Sequence, residues 1–209
     1  MNISPPPKPR GLYLLTPDVS ETAQLLAQVA AVLPHATWMQ YRNKRADSTL
    51  RREQVQALLP LCRAMDVPLI VNDDWMLAAE LGADGAHLGE DDGAVSEARR
   101  ALGADAIIGA SCYDALELAH RAVDAGASYV AFGAFFPSPT KPQARIVRKS
   151  LLRDAAALGV PRVAIGGITP ENARQLAAAG ADLVAVISGV FAARHPAAAA
   201  HAYRAACGL

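Results

Sequence analysis

The chain has 209 residues and no internal break in composition, enough for one domain with a full core. Its 20 Lys and Arg balance its 20 Asp and Glu, so no global basic field recommends nucleic acid or an anionic membrane surface as a partner, and any anion site must be local. Apolar residues make up 52% and aromatics 5%, a mix that suits packed helices and buried strands better than a β-sandwich.

In chain order, "MNISPPPKPR" (1–10) is a Pro-rich arm without the apolar centre of a signal peptide, and 11–209 read as one domain. The strand-like "GLYLLTP" (11–17) precedes a helical pattern over 20–33, and "TWMQYR" (37–42) precedes another over 49–66. "PLIVND" (68–73) leads to a helix over 74–82, and "GAHLGE" (85–90) to one over 94–101. "IIGASC" (107–112) is followed by a helix over 114–126, with Asp114 as its expected N-cap. "YVAFGAFF" (129–136) breaks at Pro137, and a helix is expected over 150–158. "RVAIGG" (162–167) leads to 170–180, where Thr169, Pro170 and Glu171 stand in the order of N-cap, first-turn proline and first-turn acid. "LVAVIS" (183–188) is followed by a last helix over 189–206.

Three segments share one phrase: "AAELGADGAHLG", "AVDAGASYVAFG" and "LAAAGADLVAVIS". In each, a helix ends on a glycine (Gly82, Gly126 or Gly180) suited to a left-handed C-terminal turn, and the next strand follows at once. A repeated helix-to-strand junction implies parallel strands joined by crossovers. Eight strands alternating with eight helices indicate an α/β fold, a single-domain (β/α)8 TIM barrel. A doubly wound open sheet is disfavoured because no GxGxxG follows the first strand. The cysteines Cys62, Cys112 and Cys207 have no metal-binding spacing and read as reduced thiols. No apolar run reaches the roughly 18 residues of a membrane span, so a cytoplasmic protein without nucleic-acid or membrane partners is expected.

Polar residues collect where the barrel strands end. Gln40, Arg42 and Lys44 close the second strand, Asn72 and Asp73 the third, and Glu90, Asp91 and Asp92 follow the fourth. Ser111 closes the fifth, Ser138, Thr140 and Lys141 follow the sixth, Gly166 and Gly167 the seventh, and Ser188 the eighth. In a barrel all these ends open on one face, where active sites form. Period-2 alternation turns Gln40, Arg42 and Lys44 to one side and Met39 and Tyr41 to the other, so two cations and an amide converge as a phosphate or pyrophosphate clamp. Asp73 and an acid of "EDD" offer hard oxygens to Mg²⁺, whereas Asp74 reads as a helix cap and His87 as a packed, hydrogen-bonded histidine. "IGGI" and "VIS" suggest a second, neutral anion site built of backbone and hydroxyls. Between the two sites, Pro137 and Pro139 stiffen a loop carrying Ser138, Thr140 and Lys141, with Lys141 a charge clamp in preference to a Schiff-base lysine.

With these motifs in place, residues 11 to 192 resemble the thiamine phosphate synthase family, in the order "QYRNK", "VNDD", "HLGEDD", "GAS", "FGAFFPSPTK", "IGGI" and "VAVIS". The resemblance implies a Mg²⁺-dependent transferase. It would condense 4-amino-2-methyl-5-hydroxymethylpyrimidine pyrophosphate with hydroxyethylthiazole phosphate to thiamine phosphate and pyrophosphate. By motif, Gln40, Arg42, Lys44, Asn72, Ser111 and Lys141 would hold the pyrimidine pyrophosphate, with Tyr41 and Asn43 as the remaining members of that segment although Tyr41 should face away. Lys141, Ser111 and Arg42 would be catalytic, Asp73 and Asp92 would bind the metal, with Asp92 favoured over Asp91, and Ser138, Pro139, Thr140, Gly167, Ile187 and Ser188 would hold the thiazole phosphate. Tyr41, Asn43, Glu90 and Ser138 stand where the family commonly has Leu, Asp, Gln and Thr. The rival readings are a thiazole tautomerase-like isomerase, which needs no pyrophosphate or metal clamp, and a non-catalytic barrel that binds a phosphorylated ligand.

Overall fold

The computed structural model describes residues 8–89, 94–137 and 145–209. Within them the strands are β1 (Gly11–Leu15), β2 (Trp38–Tyr41), β3 (Leu69–Asn72), β4 (Gly85–Leu88), β5 (Ile107–Tyr113), β6 (Tyr129–Phe132), β7 (Arg162–Ile165) and β8 (Leu183–Val186). They pair in parallel and in sequence order, and β8 returns to β1 with Gly11 opposite Leu183, which closes the barrel. The helices are α1 (Thr22–Val32), α2 (Ser48–Ala64), α3 (Trp75–Leu81), α4 (Val95–Leu102), α5 (Leu116–Asp124), α6 (Ser150–Asp154), α7 (Pro170–Ala178), α8 (Ser188–Phe191) and α9 (Pro196–Ala206).

The strands are apolar on both faces because both are buried, and alternation sorts their side chains into two cores. Leu12, Leu14, Met39, Val184 and Val186 point outward into the layer shared with the helices. Tyr13, Leu15, Trp38, Leu183 and Ala185 point inward, joined by Tyr129. The few aromatics are concentrated here: the Tyr13 ring meets Trp38 and Tyr129 edge-on, at centroid distances of 5.5 and 5.8 Å. Gly109 makes room for this floor, since a Cβ there would lie 2.0 Å from the Tyr129 ring.

Several sequence expectations shift. The last helix is two: α8 ends at Phe191, and Pro196 opens α9 at a first-turn position where its missing N–H leaves no bond unmade. Asp114 does not cap α5; Ala115 occupies that position, and the Asp114 carboxylate instead pairs with Arg145 at 3.0 Å. Except for β5, which runs one residue further, the strands are shorter than their apolar runs, because the C-terminal residues of those runs belong to the loops of the active face. Asp74 and Thr169 do cap α3 and α7, the latter through a reciprocal bond with Asn172. Gly82, Gly126 and Gly180 adopt φ of 68°, 102° and 107°, as helix-terminating glycines should. Among the described residues no helix is long and apolar enough to cross a membrane.

Candidate active site

β2 delivers its polar side chains as alternation requires. Gln40 is buried inside the barrel, and its Nε2 donates to the Tyr13 hydroxyl at 2.7 Å. Arg42 lies above it, its backbone N–H donating to Thr16 Oγ1 at 2.8 Å while that hydroxyl donates to the Arg42 carbonyl at 2.8 Å. The Arg42 guanidinium stands 3.4 Å from Asp18 Oδ1, which also accepts the Lys44 backbone N–H at 3.0 Å. The Lys44 ammonium reaches across to Asp73 Oδ2 on the neighbouring loop, at 3.2 Å. Asp18 therefore anchors both cationic positions, although neither it nor Thr16 was among the expected site residues. The polarity of "TPDVS" after β1 follows the same strand-end rule and could have been read that way.

Tyr41 faces away from the interior, as expected, and Asn43 does the same. The Tyr41 hydroxyl donates to Gln54 Oε1 at 2.9 Å. Asn43 Nδ2 donates to the same oxygen at 3.1 Å and to the Val19 carbonyl at 2.8 Å. Both side chains are buried with their polar groups committed to α2 and the first loop, so they hold the clamp in place and do not present donors to a ligand. The physical reason is parity: Tyr41 and Asn43 alternate with the three clamp residues and face the helix layer. A recess of about 100 Å³ lies beside this knot, bordered by Lys44, Arg51, Asn72 and Asp73.

Asp73 follows the last residue of β3 in a left-handed conformation, φ 66°, uncommon outside glycine though least so for Asp and Asn. Its N–H donates to the His87 carbonyl at 2.8 Å, which ties this loop to β4. Such conformations gather at functional sites, where the surroundings impose them. Asp73 offers one hard carboxylate, the donor type that Mg²⁺ takes together with water and phosphate oxygens, and here that carboxylate pairs with the Lys44 ammonium. Among the described residues no group of three or more His, Cys, Asp or Glu gathers as a ready-made cage. Asp92, the expected second ligand, lies outside the described residues, as do Ser138, Pro139, Thr140 and Lys141.

Ser111 closes the interior-facing row of β5, just before the register against β6 shifts between Ser111 and Tyr113. Bulges of this kind re-aim side chains beside active sites. Its hydroxyl lies 2.9 Å from His87 Nε2. His87 is thus the packed, hydrogen-bonded residue expected from its strand position, but its partners place it directly beneath the mouth.

Gly166 and Gly167 follow β7 at φ of 99° and 62°. Their tightness has a packing cause beyond ligand approach: a Cβ on Gly167 would lie 2.4 Å from the carbonyl oxygens of Phe136 and Pro137, and one on Gly166 2.4 Å from Ala134. The loop after β7 thus seats the loop after β6. Ile187 packs against the interior core, and the exposed Ser188 opens the four-residue α8. The described clamp residues (Gln40, Arg42, Lys44, Asn72, Asp73 and Ser111) occupy the ends of β2, β3 and β5, and Gly167, Ile187 and Ser188 those of β7 and β8, all on one face.

Comparison with known proteins places the chain in a family. The family described as thiamine monophosphate synthase matches residues 12–190. A thiamine-phosphate synthase from Xanthomonas campestris pv. campestris is 62% identical, over 94% of this chain and 95% of the relative. One from Chromobacterium violaceum is 56% identical, over 94% and 96%. The solved structure of thiamine phosphate pyrophosphorylase from Pyrococcus furiosus superposes with a TM-score of 0.83 at 33% identity, covering 95% of each chain. A 3-hexulose-6-phosphate synthase structure, 18% identical with a TM-score of 0.70 over 93% of this chain and 99% of that one, shares the fold alone. The chain belongs to the thiamine monophosphate synthase family.

Proposed function

We propose that the chain joins the pyrimidine methylene of 4-amino-2-methyl-5-hydroxymethylpyrimidine pyrophosphate to the ring nitrogen of hydroxyethylthiazole phosphate, releasing pyrophosphate. The observation that carries this reading is the convergence of Arg42, Lys44 and Asp73 on two adjacent loops, with Lys44 3.2 Å from Asp73. A phosphomonoester alone needs no such arrangement; a pyrophosphate leaving with its charge screened does.

Arg42 and Lys44 supply positive charge where negative charge develops on the departing oxygen, and Ser111 contributes a neutral donor. Asp73, with Asp92 outside the described residues, would hold Mg²⁺. When bound, Mg²⁺ neutralises pyrophosphate oxygens and makes them a better leaving group. Lys141 is assigned to the same clamp from its place in the "PSPTK" motif. The aminopyrimidine donates electrons to its methylene, so the carbon–oxygen bond can break before the thiazole nitrogen attacks. The incoming nitrogen carries a lone pair and no proton, so the bond-forming step needs no general base. The thiazole phosphate is assigned to Gly167, Ile187 and Ser188, with Ser138, Pro139 and Thr140 from the loop after β6. Holding both reactants on one face supplies the orientation on which a two-substrate reaction depends.

Mass spectrometry of the protein incubated with both substrates and Mg²⁺ tests the reading. Thiamine phosphate should form only when both substrates are present. An isomerised thiazole formed without the pyrimidine, which leaves the mass unchanged and is read by proton NMR, would support the tautomerase instead, and no product with either substrate would leave only a binding barrel.

A further inference from the structure

Five side chains on five different strands form one connected hydrogen-bond chain through the barrel interior. Gln40 Nε2 lies 2.7 Å from the Tyr13 hydroxyl, and that hydroxyl lies 2.7 Å from the Tyr129 hydroxyl. The Tyr129 hydroxyl is 2.9 Å from His87 Nδ1, and His87 Nε2 is 2.9 Å from Ser111 Oγ. The Tyr129 and His87 rings stack at 5.6 Å with an interplanar angle of 22°, which holds the imidazole in place. We propose that this chain is a one-way relay that turns the Ser111 hydroxyl proton outward to the anionic substrate, with His87 as its positioning residue. The proposal rests on the reading of Ser111 as a pyrophosphate contact.

With one proton on each hydroxyl and one on the imidazole, the chain can run in only two directions. In the first, Gln40 Nε2–H donates to Tyr13, Tyr13 to Tyr129, and Tyr129 to His87 Nδ1. His87 is then the neutral tautomer protonated at Nε2 and donates to Ser111, whose own proton is left for the mouth. In the second, Gln40 is turned over and accepts from Tyr13, every bond reverses, and Ser111 spends its proton on His87. It would then face the substrate with lone pairs, the wrong sign for a phosphate.

One observation selects the first direction. Gln40 is 2% exposed, and its Oε1 has no hydrogen-bond partner among the described residues. Reversal would exchange that orphan acceptor for an orphan buried NH₂, and unpaired buried N–H groups are the rarer and costlier defect. Tyr13 and Tyr129 are fully buried, and burial pushes both phenols well above their ordinary value, so both stay protonated and each donates one bond in the chain whichever way it runs.

The first test needs no substrate. In the full chain with ¹⁵N-labelled histidine, long-range ¹H–¹⁵N correlation should show His87 protonated at Nε2 and not at Nδ1, with its signals assigned by their loss in His87→Leu. An Nδ1–H tautomer overturns the relay even if the enzyme is active. The second test is kinetic. His87→Leu should lower kcat about 10–100-fold, the range of a hydrogen bond to a charged group. His87→Gln, which can still donate to Ser111, should recover part of that loss. In a Ser111→Ala background, His87→Leu should add almost nothing; a full additional loss would mean that His87 acts through packing and would overturn the proposal. Near-normal turnover of Ser111→Ala would likewise remove the relay's purpose. If the unsubstituted chain makes no thiamine phosphate, the proposed function fails while the spectrum still decides the direction of the relay.

Discussion

Asp18 shows how a residue outside the expected set governs the clamp. Exposed ion pairs such as Arg42–Asp18 and Lys44–Asp73 contribute only about 0–1 kcal/mol each. They are therefore weak enough for a pyrophosphate to displace, yet they keep both cations at the mouth before it arrives. Asp18→Ala should raise KM for the pyrimidine pyrophosphate about tenfold, the worth of one charge-assisted hydrogen bond to the Lys44 N–H, whereas Asp18→Asn keeps an acceptor and should lose less. Steady-state kinetics with the thiazole phosphate saturating separates the two. Asp73→Asn should instead raise the Mg²⁺ concentration that gives half-maximal rate, and an unchanged Mg²⁺ titration would remove Asp73 from the metal site. The facing of these side chains was legible in the sequence, because parity within "MQYRNK" separates Gln40, Arg42 and Lys44 from Met39 and Tyr41. The Tyr41–Gln54–Asn43 knot was not, since it depends on which α2 residue arrives opposite the strand end. Nor was the interior hydrogen-bond chain: Gln40 and Ser111 stood out as strand-end polar residues, but nothing in the sequence links them through Tyr13, Tyr129 and His87 until the barrel closes.

At the level of elements, strand starts and strand ends do different work. The N-terminal ends of β5 and β6 are held by Arg99, whose guanidinium donates to the carbonyls of Gly103, Ala104, Ala106 and Gly126 and to Ser128 Oγ over 2.6–3.0 Å. An ammonium has three donors and no planar fork, so Arg99→Lys leaves carbonyls unmet. It should lower stability by about 1–3 kcal/mol in urea unfolding while leaving kcat unchanged, because the active face is at the other end of the barrel. Gly167 is the opposite case. Gly167→Ala combines a left-handed backbone with a methyl aimed at the Phe136 and Pro137 carbonyls. It should destabilise the fold by on the order of 1–3 kcal/mol and also weaken thiazole phosphate binding by displacing the loop after β6. Calorimetry showing equal loss for both substrates would contradict the assignment of β7 and β8 to the thiazole phosphate. The barrel was readable from strand–helix alternation and the repeated glycine junctions. The division of the last helix at Pro196 was signalled by the proline itself, but the surrounding Ala-rich composition favours helix on either side and masked it.

For the whole molecule, the buried acids share one direction. Burial pushes the Cys62 and Cys112 thiols from 9.0 up to about 12, and the Tyr203 phenol from 10.0 up to about 12. Tyr13, Tyr41 and Tyr129 are likewise raised by burial. A group whose pKa is higher folded than unfolded contributes its full stability below the unfolded value and loses it as pH rises towards the folded one. Stability should therefore be level between pH 7 and 8 and fall from about pH 9 upward, read as the urea midpoint; a midpoint that holds or rises to pH 10.5 would contradict the burial of these groups. The central claim concerns chemistry, and phosphorus NMR of the working enzyme tests it most directly. With both substrates and Mg²⁺, the ester pyrophosphate signals should give way to free pyrophosphate, one for each thiamine phosphate formed, while the thiazole monoester is retained in the product. Pyrophosphate released at the same rate without the thiazole phosphate would make the chain a hydrolase, and no pyrophosphate release with both substrates present would contradict the account outright.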